Sequence, residues 1–204
     1  HREIMLSATY QLGSGFDEND SQIDPDNTYL WRANRRRLEI EPWRDSILAV
    51  SGRLDETLGG PSVSLDSPTN CRRSVYAVVS RHDLDPILRL FNFPDPNLTS
   101  ERRANTLVPV QELFTLNSPL MLDSAAALAA RITNDKTLTD EDSRIHQAYR
   151  LVLGRPPAEN EMQMSRTFLA EPTAAIEKAS SEGDSRWRQF AHALLSSNEF
   201  AFIE

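Results

Sequence analysis

Arginine carries almost all of the positive charge in this chain, and it comes in runs. Of the 22 basic residues only Lys136 and Lys178 are lysine. Arg35-Arg36-Arg37, Arg72-Arg73 and Arg102-Arg103 form the strongest polar constellation in the sequence. A guanidinium presents a rigid planar fork that matches carboxylates and phosphates, where an ammonium presents a point charge. Runs that converge on one pocket would make an anion clamp; dispersed, they make structural ion pairs or a solvated face. Read as helical, Arg35 to Arg37 can send at most one side chain toward a given neighbour, and Arg36 is taken as that candidate. Arg72 or Arg73 is expected to form a bidentate pair with a carboxylate distant in sequence.

His82-Asp83 is the second candidate, because it follows an apolar run read as a strand, and strand ends are common site positions. The other histidines, His1, His146 and His192, are scattered without the spacing of a metal site and read as surface or packing residues. Asp83 with Asp85, and Asp140-Glu141-Asp142, are acidic sets that a glycosidase couple would use. The second set is explained as helix-start charge complementing the helix dipole. The single cysteine, Cys71, excludes an internal disulfide framework and a cysteine-rich metal site. It reads as a small semi-buried residue, since its neighbours Asn70, Arg72 and Arg73 offer no base. The phosphate-loop, dinucleotide, nucleophile-elbow and haem-attachment motifs do not occur. The candidate binding residues are therefore Arg36, Arg72, Arg73, His82, Asp83, Arg102 and Arg103, with no catalytic residue, metal ligand or cofactor assigned to this chain.

A net charge of −8 argues against nucleic-acid binding, which needs a basic surface. No stretch approaches the ~20 uncharged apolar residues of a membrane helix, so no membrane insertion by this segment is expected. Hydrophobic residues make up 39% and charged residues 25%, ordinary for a folded globular chain.

The elements that would hold these residues are mostly helical. Residues 2–11 read as a helix without an N-cap, which suggests truncation of a domain that begins earlier. Residues 13–28 read as a polar loop, and 29–54 as helical in two pieces, restarting at Glu41-Pro42. Residues 74–80 (Ser-Val-Tyr-Ala-Val-Val-Ser) are the one strand candidate, with a partner sought in 61–66, in 105–109 or outside this chain. Asp85-Pro86 opens a short helix, and residues 92–108 form a long connection of the kind often used for function. Further helices are expected from Pro109, from Ser118-Pro119, and from a Thr139/Asp142 capping pair to Gly154. Two more should span 158–170 and follow a cap at Asp184. Trp31, Trp43, Leu48, Tyr149, Val152, Trp187, Phe190 and Leu194 are the expected core. The fold class is mainly α: an irregular antiparallel helical bundle with long loops and at most a small two- or three-stranded β element. Residues 1–204 read as the C-terminal part of a single domain, with 1–110 mixed helix and loop around one strand and 111–204 helical.

Several segments together resemble a known family. They are 30–39 (Leu-Trp-Arg-Ala-Asn-Arg-Arg-Arg-Leu-Glu), 44–55, 72–76 (Arg-Arg-Ser-Val-Tyr) and 93–97 (Phe-Pro-Asp-Pro-Asn), then Thr106, Pro109, Gln111, Leu113 and Asn117-Ser118-Pro119. Residues 149–157 (Tyr-Arg-Leu-Val-Leu-Gly-Arg-Pro-Pro) and 193–200 extend the match. The chain resembles the PSD-type planctomycete cytochrome-c-associated domain, a family of unknown function in large bacterial proteins. The resemblance implies a secreted or periplasmic cell-envelope parent, further residues before His1, and haem elsewhere in the parent protein. It implies no role for any residue here. The partners it suggests are other domains of the parent or another envelope protein, with self-association through a truncated N-terminal face, where Ile4, Met5 and Tyr10 would be exposed. The leading functional expectation is a non-catalytic interaction or scaffold module. A hydrolase or other enzyme acting on an envelope or polysaccharide substrate, and an anion- or glycan-binding module using arginines, are the alternatives.

Overall fold

In the computed structural model, residues 1–67, 69–104, 106–171 and 182–203 are described, with the side chains of 182–185 left out. Ten α-helices are found among them, beside one two-stranded antiparallel sheet. The molecule is mainly α. It divides into two compact units, His1–Leu38 with Phe202–Glu204, and Glu39–Ala201.

The first unit holds α1 (Arg2–Met5), α2 (Glu18–Ile23), β1 (Arg36–Arg37) and β2 (Phe202–Ile203). A polar knot organises it. Asp24 accepts from the amides of Thr28 and Tyr29 at 2.9 and 2.8 Å, while Asn27 donates to Arg32 O at 2.9 Å. Both side chains are buried, so the chain from 24 to 34 follows these bonds and not the helical path its residue types suggest. Trp31 is half-buried rather than core: its indole N–H donates to Asp24 O at 2.9 Å, and Arg32 lies 4.8 Å from its ring. Arg36 and Arg37 are not helical either. They pair antiparallel with Ile203 and Phe202, a partner too remote in sequence for any local pattern to signal. The expected helix over 2–11 closes after Met5 into turns, and Ile4, Met5 and Tyr10 are exposed.

The second unit contains α3 (Ile40–Val50), α4 (Pro86–Leu90), α5 (Pro109–Asn117), α6 (Pro119–Thr133), α7 (Glu141–Leu153), α8 (Glu159–Ala170), α9 (Glu182–Leu195) and α10 (Asn198–Ala201). α6 is its axis. Met121, Ser124, Ala125, Leu128, Ala129 and Ile132 are buried along one stripe, the spacing of a helix with one broad inward face. α9, α3, α5 and α7 all pack against it. α7 buries Ile145, Ala148, Tyr149 and Val152, the face its sequence periodicity predicts. Gly154 ends it with φ of +71°, the left-handed conformation that glycine adopts without a Cβ clash. Its N-cap is Asp140, paired with Ser143, and not Thr139 with Asp142. Asp142 is thereby free to receive Arg166 of α8 in a two-bond pair at 2.7 and 2.6 Å. Asp184 lies inside α9, which begins at Glu182, so it is not the cap of that helix.

Residues 74–80 are not a strand. Ser74–Tyr76 form a 3-10 turn, and contact with the expected partner region shrinks to a single parallel bridge between Val63 and Ala77. The cause is tertiary. Asp45 of α3 accepts from both the amide and the hydroxyl of Ser74 at 2.7 Å, which pins the start of the segment in a turn. The β-branched side chains that suggested a strand, Val75, Val78 and Val79, are exposed. The other partner region, 105–109, includes Asn105, which lies outside the described residues.

A two-sided arginine clasp closes the α7–α8–α10 corner. Arg155 meets Glu161 at 2.7 Å through both terminal nitrogens, and Glu199 at 2.6 and 2.7 Å through Nε and Nη2. The hydrogen bond from Arg155 pulls Glu161 from an ordinary 4.5 down to about 2. A carboxyl whose pKa falls on folding adds stability that is fully present above the unfolded value and is lost as pH drops through the folded one. The expected result is that Glu161→Gln is less stable than the parent sequence at pH ~6, and that the gap closes between pH ~4.5 and ~2. Urea midpoints measured across that range check it; a gap that stays constant to pH ~2 would mean the clasp is not electrostatic.

Candidate functional site

The sequence-singled arginines have separate partners. Arg72 donates to the backbone carbonyls of Pro61 at 2.9 Å, Thr57 at 3.2 Å and Gly59, with its guanidinium 4.1 Å from the Tyr76 ring. It clamps the 57–61 loop, and among the described residues no carboxylate comes within ion-pair distance of Arg72 or Arg73. The expected bidentate carboxylate pair is therefore not made there; carbonyl oxygens of a tight glycine loop take its place. Arg73 is exposed. Arg103 does form such a pair, with Glu41 at 2.7 and 2.8 Å, joined by Glu39 at 2.9 Å and lying 4.9 Å from the Phe93 ring. That bond holds Glu41 below the usual carboxylate range against the opposing effect of burial, which is the larger single influence. Arg102 is exposed, and with Arg103 it lines a broad open cleft that includes Phe93, Pro94 and Leu98. Arg36 belongs to the first unit and is exposed.

His82 and Asp83 are both exposed, and their amides donate to Ser80 Oγ at 3.2 and 3.3 Å. Asp85 is no partner for Asp83 in acid–base work. It is buried, and its carboxylate accepts from Ser64 Oγ, the amides of Leu65 and Asp66, and the amide of Ile87. It fastens the 64–66 loop to the start of α4. Cys71 is half-buried and unbridged, and among the described residues no three His, Cys, Asp or Glu side chains gather as a metal site. His192 packs as expected, its Nε2 lying 2.8 Å from Thr115 O.

The arginine that the runs concealed is Arg44. It is 1% exposed, on the inward stripe of α3 with Ile40, Trp43, Ile47 and Leu48. Its Nη1 donates to Arg72 O at 2.8 Å and to Ser74 Oγ at 3.3 Å, and its Nη2 to Asn70 O at 2.6 Å. The nearest carboxylate, Asp45, stands 3.8 Å away and is already bonded to Ser74. Among the described residues the buried Nε has no acceptor. Burial pulls the Arg44 guanidinium below its usual range, opposed by Asp45 and reinforced by Arg53, though arginine remains protonated in proteins. The sequence signal available was a lone cation on an otherwise apolar helical stripe.

Arg44 lines a pocket of about 190 Å³ together with Arg53, Leu65, Ile87, Phe114 and Leu120. Arg53 reaches it from just beyond α3, donating to Ser124 Oγ at 3.2 Å and standing 3.9 Å from Asp123. The walls come from α4, α5 and the start of α6, held in place by the Asp85 fastening and by Ser118, which caps α6.

A family model described as PSD1, a protein of unknown function (DUF1553), matches residues 1–169. The chain belongs to this family. The part matched to PSD1 contains every residue of the Arg44 pocket and all of α5, while α9 and α10 lie beyond it. No curated protein and no solved structure matches the chain.

Proposed function

We propose that this PSD1-family chain is a non-catalytic interaction module of a secreted or cell-envelope protein, and that it docks another domain of that protein through α5. The observation that carries the reading is the inverted character of α5. Its inward side buries Gln111 and Thr115 beside Phe114, which packs on Trp43 and Phe91, while Val110, Leu113 and Leu116 are 57%, 56% and 52% exposed. A surface helix ordinarily does the opposite. The buried glutamine is provided for, with Nε2 donating to Leu90 O at 2.9 Å, so α5 is seated as intended with its apolar side outward. Leu107 continues the exposed strip before the helix and Leu122 of α6 lies exposed after it. Large apolar side chains exposed together on one helix are a feature of interaction surfaces. Glu112 is the one charged residue of α5, which favours an apolar protein face as the occupant. The envelope location and the association with a cytochrome module rest on the family resemblance.

No single helix among the described residues is long and apolar enough to cross a membrane. The bent pair of α5 and α6 reaches that length together, at 45°, but the α6 stripe is already buried within the second unit.

Hydroxyl-radical footprinting tests the docking surface in the full parent protein against the 204-residue chain. Reactivity of Val110, Leu113 and Leu116 is expected to fall in the parent and to be restored by a Leu113→Asp substitution. Equal reactivity of these three side chains in both proteins would sink the proposal.

A further inference from the structure

The Arg44 pocket has a charged end and a dry end. At the charged end stand two guanidiniums: Arg44, whose Nη atoms are bonded to Asn70 O, Arg72 O and Ser74 Oγ with Asp45 3.8 Å away, and Arg53, which donates to Ser124 Oγ at 3.2 Å and has Asp123, itself 56% exposed, at 3.9 Å. The start of α6 forms part of the wall, and the positive end of its dipole adds to the potential there. The dry end is Leu65, Ile87, Phe114 and Leu120.

We propose that this pocket binds a small organic monocarboxylate, an aromatic or branched aliphatic acid, with its carboxylate at the Arg53 guanidinium, beside the buried charge of Arg44, and its hydrocarbon body against Leu65, Ile87, Phe114 and Leu120. Size and charge select this class. An apolar cavity of about 150 Å³ holds benzene, and drug-sized pockets begin near ~300 Å³, so about 190 Å³ suits one ring or a short branched chain with its carboxylate. The pocket offers one partly exposed guanidinium, Arg53, with Arg44 buried behind it, which one carboxylate group matches. Inorganic phosphate would bring extra charge and leave the apolar walls unfilled. A neutral ring would fill the walls and bring no charge to the guanidinium end. This inference goes beyond the docking role, since it concerns the inward side of α5 and not its outer face.

Calorimetric titration with benzoate, benzyl alcohol and inorganic phosphate tests it, with amide chemical-shift mapping to locate the site. Benzoate is expected to bind and to shift the amides of Arg53, Asn70 and Leu120, with the other two probes at least about tenfold weaker, as loss of a charge-assisted hydrogen bond predicts. Arg53→Gln should weaken benzoate about tenfold, and Leu120→Trp, which fills the cavity, should abolish binding. Should the tryptophan variant fail to fold, the Arg53 variant decides the matter. Absence of benzoate binding, equal binding of benzyl alcohol, or binding untouched by Arg53→Gln would each overturn the proposal.

Discussion

Replacing Trp187 with alanine is expected to lower stability by about 3–5 kcal/mol, the range for a buried aromatic truncated in a core that cannot collapse. Trp187 is 7% exposed on α9 and meets Phe190 edge-to-face at 5.5 Å with an interplanar angle of 89°. Opposite it, α6 presents Ala126, Ala129 and Ala130, beside a hollow of about 140 Å³ that Trp187 itself borders. Alanines have no side-chain atoms to move into the vacated volume, so truncation merges the new cavity with the existing one. For a domain of this size each kcal/mol shifts the melting temperature by roughly 2–4 °C, so the drop should be of order 10 °C. Trp187→Phe keeps a ring in place and should cost less than half as much. A Trp187→Ala protein melting within a degree or two of the parent sequence would mean that α9 does not pack on α6 through this residue.

The elements that were legible in the sequence are those whose determinants are local. α7 shows why: its apolar spacing, an acidic start and Gly154 all lie within the segment, and the helix follows them to within a residue or two. The start of α6 at Ser118-Pro119 and of α4 at Asp85-Pro86 were readable for the same reason. Residues 74–80 failed because β-branched composition states only a preference, and two bonds from Asp45 overrule it. Residues 29–37 failed because the buried Asp24 and Asn27 and the pairing with 202–203 direct that chain, none of it visible in a window of neighbours. The candidate pocket is lined by arginine, the residue type that the runs single out, but adjacent pairs drew attention to Arg72-Arg73 and Arg102-Arg103, of which Arg72 clamps the 57–61 loop and Arg103 pairs with Glu41. A run of like charges on the surface catches the eye, whereas a single arginine among Ile40, Trp43, Ile47 and Leu48 is diluted by its neighbours. The face of α5 could have been found from Gln111 and Thr115 standing opposite Val110 and Leu113, once the helix was known to have a buried side.

Arg44 is the residue whose loss should cost most among the charged groups, about 3–5 kcal/mol for Arg44→Ala, the range for removing one member of a buried polar network. Its two Nη atoms tie α3 to Asn70 O and Arg72 O, and to Ser74 Oγ. Those carbonyls belong to the loop that Asp45 and Arg72 also hold, so removal leaves acceptors facing an interior that cannot hydrate them. It also leaves Asp45 without the nearest positive charge, 3.8 Å away. Arg44→Lys separates charge from geometry. A lysine ammonium restores the charge but cannot span both carbonyls as the planar fork does, so an intermediate loss is expected. Arg44→Met fills the volume without a donor and should fall close to alanine, because the unsatisfied carbonyls dominate over packing. Urea unfolding of the three variants checks the order. Methionine as stable as the parent sequence would show that the bonds to Asn70 and Arg72 add nothing net, and lysine equal to arginine would show that charge alone matters at this position.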